Sequence, residues 1–456
     1  MKLIAIAGTT MLAATLGAAP LSAQSPPSVV PIDTRPADPT GASPPGGISI
    51  ADDGVGKDKP APYVGPLDSV KQVPLFGNWG PRKRLADDGI SLSARYVLEP
   101  AVNTRGYKGS GLSTVQHIDL DAVLDLGKLG IVSNGTVRIV VTDRLGNGIN
   151  TTRTGSYIQS QAFYGQGKDV RFNELSYEQT FLDNRLSLKG GFYPMGNDFG
   201  KLPYTCNFTN NGNCGHPLGP IFGSGWRDDP TGQWGGRVKW TDGTGWYAEA
   251  GVYDVNTLRK TAGHGFDLGF KGTTGTYVPV EVGYVRGSTP SDYAGTYKIG
   301  AYYDTSRVTL QGDPSRTTKG RSGVLLQAAQ QIWKPHPDTV RGIAIFAVAT
   351  IADRKTGLFR TYYEAGSSWR GPFASRPNDI LSVSWTEANL NSRVTGAERR
   401  AGQDVQTHEE MWELNYGIQV MPWLLIRPGV QYLIRPGGYE SRPNAIVVAW
   451  HFQAAL

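Results

Sequence analysis

The nine residues IDLDAVLDL at positions 118–126 alternate between apolar and mainly acidic side chains. Because successive side chains of a β-strand point to opposite faces, this stretch forms a strand with one apolar face and one charged face. Aromatic-rich segments of the same kind recur from Ser91 almost to the C-terminus. Lipid outside and water inside a closed sheet require this pattern, so the sequence predicts an all-β, transmembrane antiparallel β-barrel.

Seventeen segments follow this pattern and are predicted as strands. They are 91–102, 117–126, 136–145, 170–181, 185–193, 233–240, 246–253, 266–270, 278–285, 297–303, 323–333, 342–351, 360–367, 380–389, 411–420, 424–434 and 445–452. Short turns at 183–184 and 242–245 alternate with long polar loops at 146–169, 194–232 and 390–408. This asymmetry between the two rims is typical of outer-membrane barrels.

The N-terminus carries the pattern of an export signal. A short positive start is followed by an apolar run over 3–19 and small residues at 21–23. We therefore predict a signal peptide over residues 1–23; a membrane anchor helix is the alternative, for which the run is at the short end of the required length.

Residues 24–74 are rich in Pro, Gly, Asp and Ser, as in PPGG at 44–47. Such a segment cannot bury a core, so we expect a flexible linker of unassigned role. Pro81 and Gly89 delimit a helix of two to three turns that precedes the first strand, in or against the barrel lumen. The barrel domain is expected over 75–456.

Composition agrees with a barrel. The chain has 59 Gly, 11 Trp and 21 Tyr, and the last two residue types favour membrane interfaces. The formal net charge of +6 is modest for 456 residues, and the basic residues are dispersed rather than clustered. This distribution gives no indication of nucleic-acid binding.

Two cysteines, Cys206 and Cys214, flank seven residues rich in Asn and Gly. In an oxidising compartment the favoured interpretation is a disulfide that closes this loop. A metal site is the alternative, but His216 is the only additional ligand nearby. We therefore expect no metal and no cofactor.

Strand alternation identifies candidate pore-lining and substrate-binding residues. A sugar needs hydrogen-bond donors and acceptors along its path, and rows of mixed charge supply both without strong ion selection. For any single residue, the alternative is a solvated wall charge with no selective role. The candidates are Arg95, Glu99, Asp119, Asp121, Arg138, Glu174, Glu178, Lys189, Arg237, Lys239, Glu249 and Arg427.

Two other classes of protein, an enzyme and a soluble secreted β-protein, are alternatives to a non-enzymatic membrane barrel. An enzyme would need a recognisable nucleophile, acid and base, yet none of the six His lies in such a context, and HEE at 408–410 lacks the second His of a zinc motif. A soluble secreted β-protein that binds carbohydrate would bury its apolar face. Trp240 with Trp246, and Trp412 with Trp423, instead suggest aromatic girdles. We therefore expect a non-enzymatic membrane barrel.

Several segments resemble the carbohydrate-selective porins of the OprB family. These are FGNWG at 76–80 with RL at 84–85 and GISL at 89–92, LSYEQTFLDNRLS at 175–187, WYAEAGVYD at 246–254, and the closing pattern over 416–445. The resemblance covers roughly residue 75 to the end. It implies about sixteen strands in the outer membrane of a Gram-negative bacterium and passive diffusion of mono- and small oligosaccharides into the periplasm. A general, non-selective porin is the alternative.

The resemblance also implies partners. These are carbohydrate substrates, outer-membrane lipid and the barrel-assembly machinery, with a homotrimer or a monomer both left open. Barrels of this kind commonly end on an aromatic residue, but here Phe452 is followed by QAAL. Either a short tail follows the last strand or the terminal signal is altered.

Overall fold

The computed structural model describes residues 72–456 except 78, 79, 164, 166, 167, 216, 288–291, 338 and 340. Within these residues sixteen strands pair antiparallel with their sequence neighbours, and the first pairs with the last to close a barrel. They are β1 (Ile90–Arg105), β2 (Gly111–Asp125), β3 (Gly135–Gly146), β4 (Val170–Phe181), β5 (Leu186–Tyr193), β6 (Gln233–Thr241), β7 (Trp246–Asn256), β8 (Thr273–Arg286), β9 (Gly295–Leu310), β10 (Asp313–Trp333), β11 (Gly342–Ala352), β12 (Phe359–Arg370), β13 (Ile380–Leu390), β14 (His408–Met421), β15 (Leu424–Ile434) and β16 (Ala445–Ala455). The predicted signal peptide, and the predicted linker up to residue 71, lie outside the described residues.

The outer face of the barrel is apolar. Leu120, Ile299 and Leu414 each expose more than half of their surface. Exposed Trp240 and Trp246 lie at one end of β6 and β7. A soluble sandwich would bury such a face, so the alternative of a soluble β-protein is wrong.

Sixteen of the seventeen predicted segments coincide with strands, whereas the segment 266–270 does not. It belongs to the loop between β7 and β8. Its two aromatic rings pack on aromatic side chains of the barrel wall, with ring centroids 6.4 Å apart for Phe266 and Phe172 and 6.3 Å apart for Phe270 and Trp234. The apolar residues at alternate positions of this loop therefore led to the wrong prediction of a strand.

Three α-helices are described, α1 (Gly80–Asp87), α2 (Leu218–Gly223) and α3 (Ser392–Arg400). The predicted N-terminal helix is confirmed to within one residue. It has no buried residue and lies by the end of β16, where Arg82 Nη1 donates to the carbonyl oxygen of Leu456 at 2.8 Å. None of the described helices has the length and apolarity needed to cross a membrane.

The last strand does not end at Phe452. Ala455 pairs with Arg95, and the amide of Leu456 donates to the carbonyl oxygen of Ala94 at 2.9 Å. Of the two alternatives for residues 453–456, a short tail after the strand is therefore wrong, because residues 453–455 complete the pairing that closes the barrel. The chain ends on an apolar residue, Leu456, rather than an aromatic one.

Two long loops of one rim, 147–169 and 194–232, fold into the barrel. They hydrogen-bond to each other, from Ala162 N to Thr209 O at 2.8 Å and from Asn211 N to Gln159 O at 3.0 Å. The predicted disulfide joins Cys206 and Cys214 within the second loop. The lumen is thus narrowed by folded chain, and this sets the position of the site.

Candidate functional site

All twelve charges predicted to line the lumen lie on the inner face of the barrel. Strand pairing places Arg95 opposite Asp119 and Glu178 opposite Lys189, and paired residues share a face of the sheet. Positions one residue away, such as Leu120 and Leu188, are exposed on the outer face. The inner residues are Arg95, Glu99, Asp119, Asp121, Arg138, Glu174, Glu178, Lys189, Arg237, Lys239, Glu249 and Arg427.

Ten of these residues form what we call the ion-pair arc, which runs across β1–β7. Its acidic members are Asp119, Asp121, Glu174, Glu178 and Glu249, and its basic members are Arg95, Arg138, Lys189, Arg237 and Lys239. Arg95 Nε donates to Asp119 Oδ2 at 2.7 Å, and Arg138 Nη2 lies 2.6 Å from Asp121 Oδ2. Each of these two cations therefore contacts an acid on an adjacent strand.

The second half of the ion-pair arc continues the alternation. Lys189 Nζ lies 3.1 Å from Glu174 Oε1, and Arg237 Nη2 lies 2.7 Å from Glu178 Oε1. Arg138 also reaches Glu174 at 3.9 Å, which joins the two halves. Lys189 and Arg237 lie directly opposite each other, and Asp198 of loop 194–232 lies 3.8 Å and 3.4 Å from them. The arc is therefore a set of ion pairs rather than separate acidic and basic rows.

A cluster that the sequence did not reveal lies beside Arg95. Arg144 Nε donates to His117 Nδ1 at 3.1 Å, and His117 Nε2 lies 2.6 Å from Asp119 Oδ1. Asp229 from loop 194–232 completes the cluster, 2.6 Å from Arg144 Nη2. His117, Asp119 and Asp229 are close enough together to ligate a metal. However, the two carboxylates already pair with guanidinium groups, so the cluster supplies its own cations.

A pocket opens between β1–β4 and loop 194–232. Five members of the ion-pair arc line it together with polar residues of the wall and the loop. The lining residues are Ser93, Arg95, Asp119, Asp121, Arg138, Val140, Asn173, Glu174, Asn197 and Asp229. Hydrogen-bond donors and acceptors therefore converge at this pocket.

The carboxylates of the opposite wall, β8–β15, bind the backbone of an inserted loop, although Glu281 and Asp304 also pair with Lys298 and Arg321. Glu281 accepts from Gly200 N at 2.9 Å, and Asp304 accepts from Gly225 N at 2.7 Å. Glu413 accepts from the backbone N–H groups of Thr209 and Asn210 at 2.8 and 3.1 Å, and from both of their side chains. These carboxylates therefore hold loop 194–232 against the wall.

The other inserted loop is held in the same way. Glu409 accepts from Ile158 N at 2.7 Å and from Tyr157 N at 3.0 Å. Glu99 accepts from Phe163 N at 3.1 Å. We call Glu99, Glu281, Asp304, Glu409 and Glu413 the anchoring carboxylates, because each binds backbone N–H of an inserted loop.

Two of the predicted pore-lining residues thus contact loops rather than open lumen. Glu99 binds Phe163 and also His451, whose Nδ1 lies 2.8 Å away. Arg427 Nη1 donates to the carbonyl oxygen of Phe208 at 3.4 Å. Alternation placed both side chains on the correct face, but it could not predict that folded loops cover them.

Sequence reasoning missed most of the anchoring carboxylates although the signal was present. Glu413 lies between Trp412 and Leu414, and Glu281 lies between Val280 and Val282. An acid between two apolar residues of a strand is the same pattern that identified Asp119. Applying the alternation to every strand would have found them, but not their partners.

Aromatic rings fill the space between loop 194–232 and β5–β9. Tyr193 and Tyr253 meet edge to face with ring centroids 5.6 Å apart, and Trp226 packs on Tyr277 at 6.2 Å. All four side chains are at least 98% buried. Trp226 belongs to the loop and the three Tyr side chains to the wall, so the contact of Trp226 with Tyr277 packs the loop onto the wall.

Two charged groups of loop 194–232 lie beside the ion-pair arc. Burial lowers the pKa of the Lys201 ammonium to about 7, although Asp198 opposes this shift. Burial also acts to raise the pKa of Asp198, but Lys189 and Arg237 hold it below its usual value. The loop thus adds one fixed negative charge and one cation that titrates near neutral pH.

A closed transmembrane barrel with an apolar exterior, a charged interior and inserted loops is a porin. A model of the carbohydrate-selective porin, OprB family, matches residues 109–456. The chain therefore belongs to this family, which is one of channels rather than enzymes. Family membership places the protein in the outer membrane.

Relatives support the assignment along most of the chain. Porin B of Pseudomonas aeruginosa is 29% identical over 416 residues, covering 84% of this chain and 91% of that protein. A putative porin, QuiX, of Acinetobacter baylyi is 28% identical over 400 residues, covering 82% of this chain and 91% of that protein.

A solved structure shows the same fold. OprB of Pseudomonas putida at high pH aligns with a TM-score of 0.80 and 27% identity, covering 85% of this chain and 99% of that structure. The sixteen-stranded architecture implied by the family resemblance is thereby confirmed.

Proposed function

We propose that neutral sugars diffuse passively through this lumen and contact the ion-pair arc on their way. The observation that carries the proposal is the set of ion pairs along β1–β7, in which five acids and five bases take part. Carboxylates accept hydrogen bonds from sugar hydroxyls and guanidinium groups donate to them. An arc with equal numbers of both signs orients hydroxyls without trapping an ion of either sign.

Several members of the ion-pair arc retain exposed surface for such contacts. The side chains of Arg138 and Glu178 are 17% and 18% exposed, and that of Lys239 is 38% exposed. Because these groups already pair with one another, a passing sugar exchanges one set of hydrogen bonds for another at small net cost. This supports transit rather than tight binding.

Export and assembly complete the proposal. Residues 1–23 act as a signal peptide, and residues 24–74 precede the barrel domain over 75–456. The barrel-assembly machinery inserts the barrel into the outer membrane, as a homotrimer or a monomer. The closing of the sheet by β1 and β16 supports a single-chain pore in either state.

Liposome swelling tests the transport proposal. Purified, refolded protein is tested with neutral sugars of rising size and with amino acids of similar mass. We expect swelling with small sugars that falls sharply with size and exceeds swelling with the amino acids. Equal swelling with all small solutes indicates the general, non-selective porin. No swelling, from protein that heat-modifiable gel mobility shows to be folded, contradicts the pore.

A further inference from the structure

The hairpin of β9 and β10 carries cations on its outer face, directly above the surface that meets lipid. On the outward face of β9, apolar Ile299 is followed by Tyr303 and then by Arg307 as the strand approaches the turn to β10. Arg307 pairs across the strands with Lys319, and both are exposed. Four residues of strand, about 13 Å, separate Tyr303 from Arg307. This distance puts the two cations at the level of lipid headgroups.

The hairpin lies on the rim opposite the chain termini. Both α1 and the end of β16 lie at the periplasmic side in a barrel of this class, since the long loops are extracellular. The turn at 311–312 that joins β9 to β10 lies on the same rim as loops 147–169 and 194–232. Arg307 and Lys319 therefore face the outer leaflet.

Six more cations extend this surface along the extracellular rim. All are exposed, and they come from the hairpin, from loop 353–358 and from the α3 segment. We name the whole set the outer basic rim. Its members are Arg307, Arg316, Lys319, Arg354, Lys355, Arg393, Arg399 and Arg400.

The three segments are held together as one surface. Gln311 N donates to Lys355 O at 2.8 Å, and Gln311 Nε2 donates to Thr356 O at 3.1 Å. Asn391, which caps α3, donates through Nδ2 to Arg354 O at 3.1 Å. The backbone that carries the cations is therefore fixed, and a ligand does not need to order it.

Acidic residues do not balance the positive charge of the outer basic rim. Asp313, Asp353 and Glu398 lie in the same three segments, against eight basic residues. Among the residues that the structure describes, none of the eight cations forms an ion pair with an acid. Like charges placed directly opposite on neighbouring strands, as Arg307 and Lys319 are, destabilise a sheet unless an anion lies between them.

We propose that the outer basic rim binds the phosphorylated headgroup of the outer-leaflet glycolipid, lipopolysaccharide. The lipid's acyl chains would lie along the apolar exterior below Tyr303, and its phosphates would lie between Arg307 and Lys319. Continuity of the cations with the lipid-facing surface favours a lipid over a soluble anion. This site is on the outside of the barrel and does not depend on the transport proposal.

The test measures retention of purified lipid A by the folded barrel in detergent, by native mass spectrometry. The variant R307Q/K319Q removes the facing cations. Because each Lys or Arg near an anionic headgroup contributes roughly a fivefold change in affinity, we expect binding to weaken by at least about tenfold. The control R84Q/R286Q removes two exposed cations at the periplasmic side and should bind as the wild type does.

Lipid A without phosphates and phosphatidylglycerol separate the remaining outcomes. We expect the wild type and R307Q/K319Q to bind dephosphorylated lipid A equally weakly. Equal binding of lipid A by R307Q/K319Q and the wild type overturns the proposal. If R307Q/K319Q and the control lose lipid A binding to the same degree, the attraction of anions is unspecific and the proposal is overturned. The same holds if the wild type binds phosphatidylglycerol as tightly as it binds lipid A. Heat-modifiable mobility verifies that each variant is folded.

Discussion

The two walls of the lumen use the same residue types for different purposes. On β1–β7 the acids of the ion-pair arc contact basic side chains, as Asp121 contacts Arg138. Four of the five anchoring carboxylates lie on β8–β15, where they contact backbone N–H groups, as Glu413 contacts Thr209 and Asn210; the fifth, Glu99, lies on β1. The first wall therefore sets the chemistry of the pore, and the second sets its width by holding the inserted loops. Predictions for the two walls differ accordingly.

The largest effect is expected from removing an anchor. E413A deletes the acceptor of four hydrogen bonds from loop 194–232, which costs about 1–3 kcal/mol for each buried donor left unsatisfied. Because the segment around Thr209 and Asn210 then leaves the wall, single-channel conductance should rise and sugars excluded by the wild type should enter liposomes. E387Q, which removes an outward-facing carboxylate of β13, should change neither. An unchanged size limit in E413A would mean that Glu413 does not hold the loop.

A change in the ion-pair arc should alter selectivity instead of width. R138Q leaves Asp121 and Glu174 without their shared cation. A charge about 4 Å from a passing ion contributes on the order of 1–4 kcal/mol. The reversal potential in a potassium chloride gradient should therefore shift toward cation preference, by several-fold in permeability ratio.

The double variant D121N/R138Q is the matched control for that shift. It keeps the net charge of the arc and should return the reversal potential close to the wild-type value. If R138Q leaves the reversal potential unchanged, the ion-pair arc does not face the ion path.

A smaller effect should follow pH. Because burial places the pKa of Lys201 at about 7, its ammonium is charged below that pH and neutral above it. Cation preference should therefore increase between pH 6 and pH 8, by up to one charge. The charged groups around Lys201 are Asp198, Lys189, Arg138 and Glu174. K201Q should abolish the step, and a step that persists in K201Q assigns the titration to another group.

The smallest effect is expected from the disulfide. C206S/C214S opens a link between residues 8 positions apart, which contributes about 2–3 kcal/mol in a chain-entropy treatment. The anchoring carboxylates still hold the loop, so conductance should change less than in E413A. Combining the two changes should enlarge the pore more than E413A alone. A conductance change in C206S/C214S as large as that of E413A would transfer the anchoring role to the disulfide.

Much of the fold could be predicted from the sequence because each strand has to turn apolar residues to lipid. The alternation in 118–126 gave β2 its inner and outer faces, and the same rule placed Arg95 and Arg427 inside. The rule failed at 266–270, where two Phe residues pack on the outside of the barrel without a strand. The spacing of apolar side chains alone does not distinguish a strand from a loop that packs on the outside of the barrel.

The site was predictable in part. Alternation finds the lumen face, so it found the ion-pair arc. It contains no information about where the inserted loops 147–169 and 194–232 fold, so it missed that Glu99 binds Phe163 and that Asp229 joins His117 and Arg144. These contacts join residues far apart in the chain, and only the folded loops bring them together.

Sugar-induced block of the ion current tests the central claim most directly. The apparent sugar affinity is measured for a small neutral sugar in the wild type, in D121N/R138Q and in E413A. We predict that D121N/R138Q weakens the block at nearly unchanged conductance, since it removes charged hydrogen-bonding partners but keeps the net charge. E413A should instead raise the conductance. Block that is unaffected in D121N/R138Q, or lost to the same degree in E413A at wild-type conductance, would contradict the division of the lumen into a chemical wall and an anchoring wall.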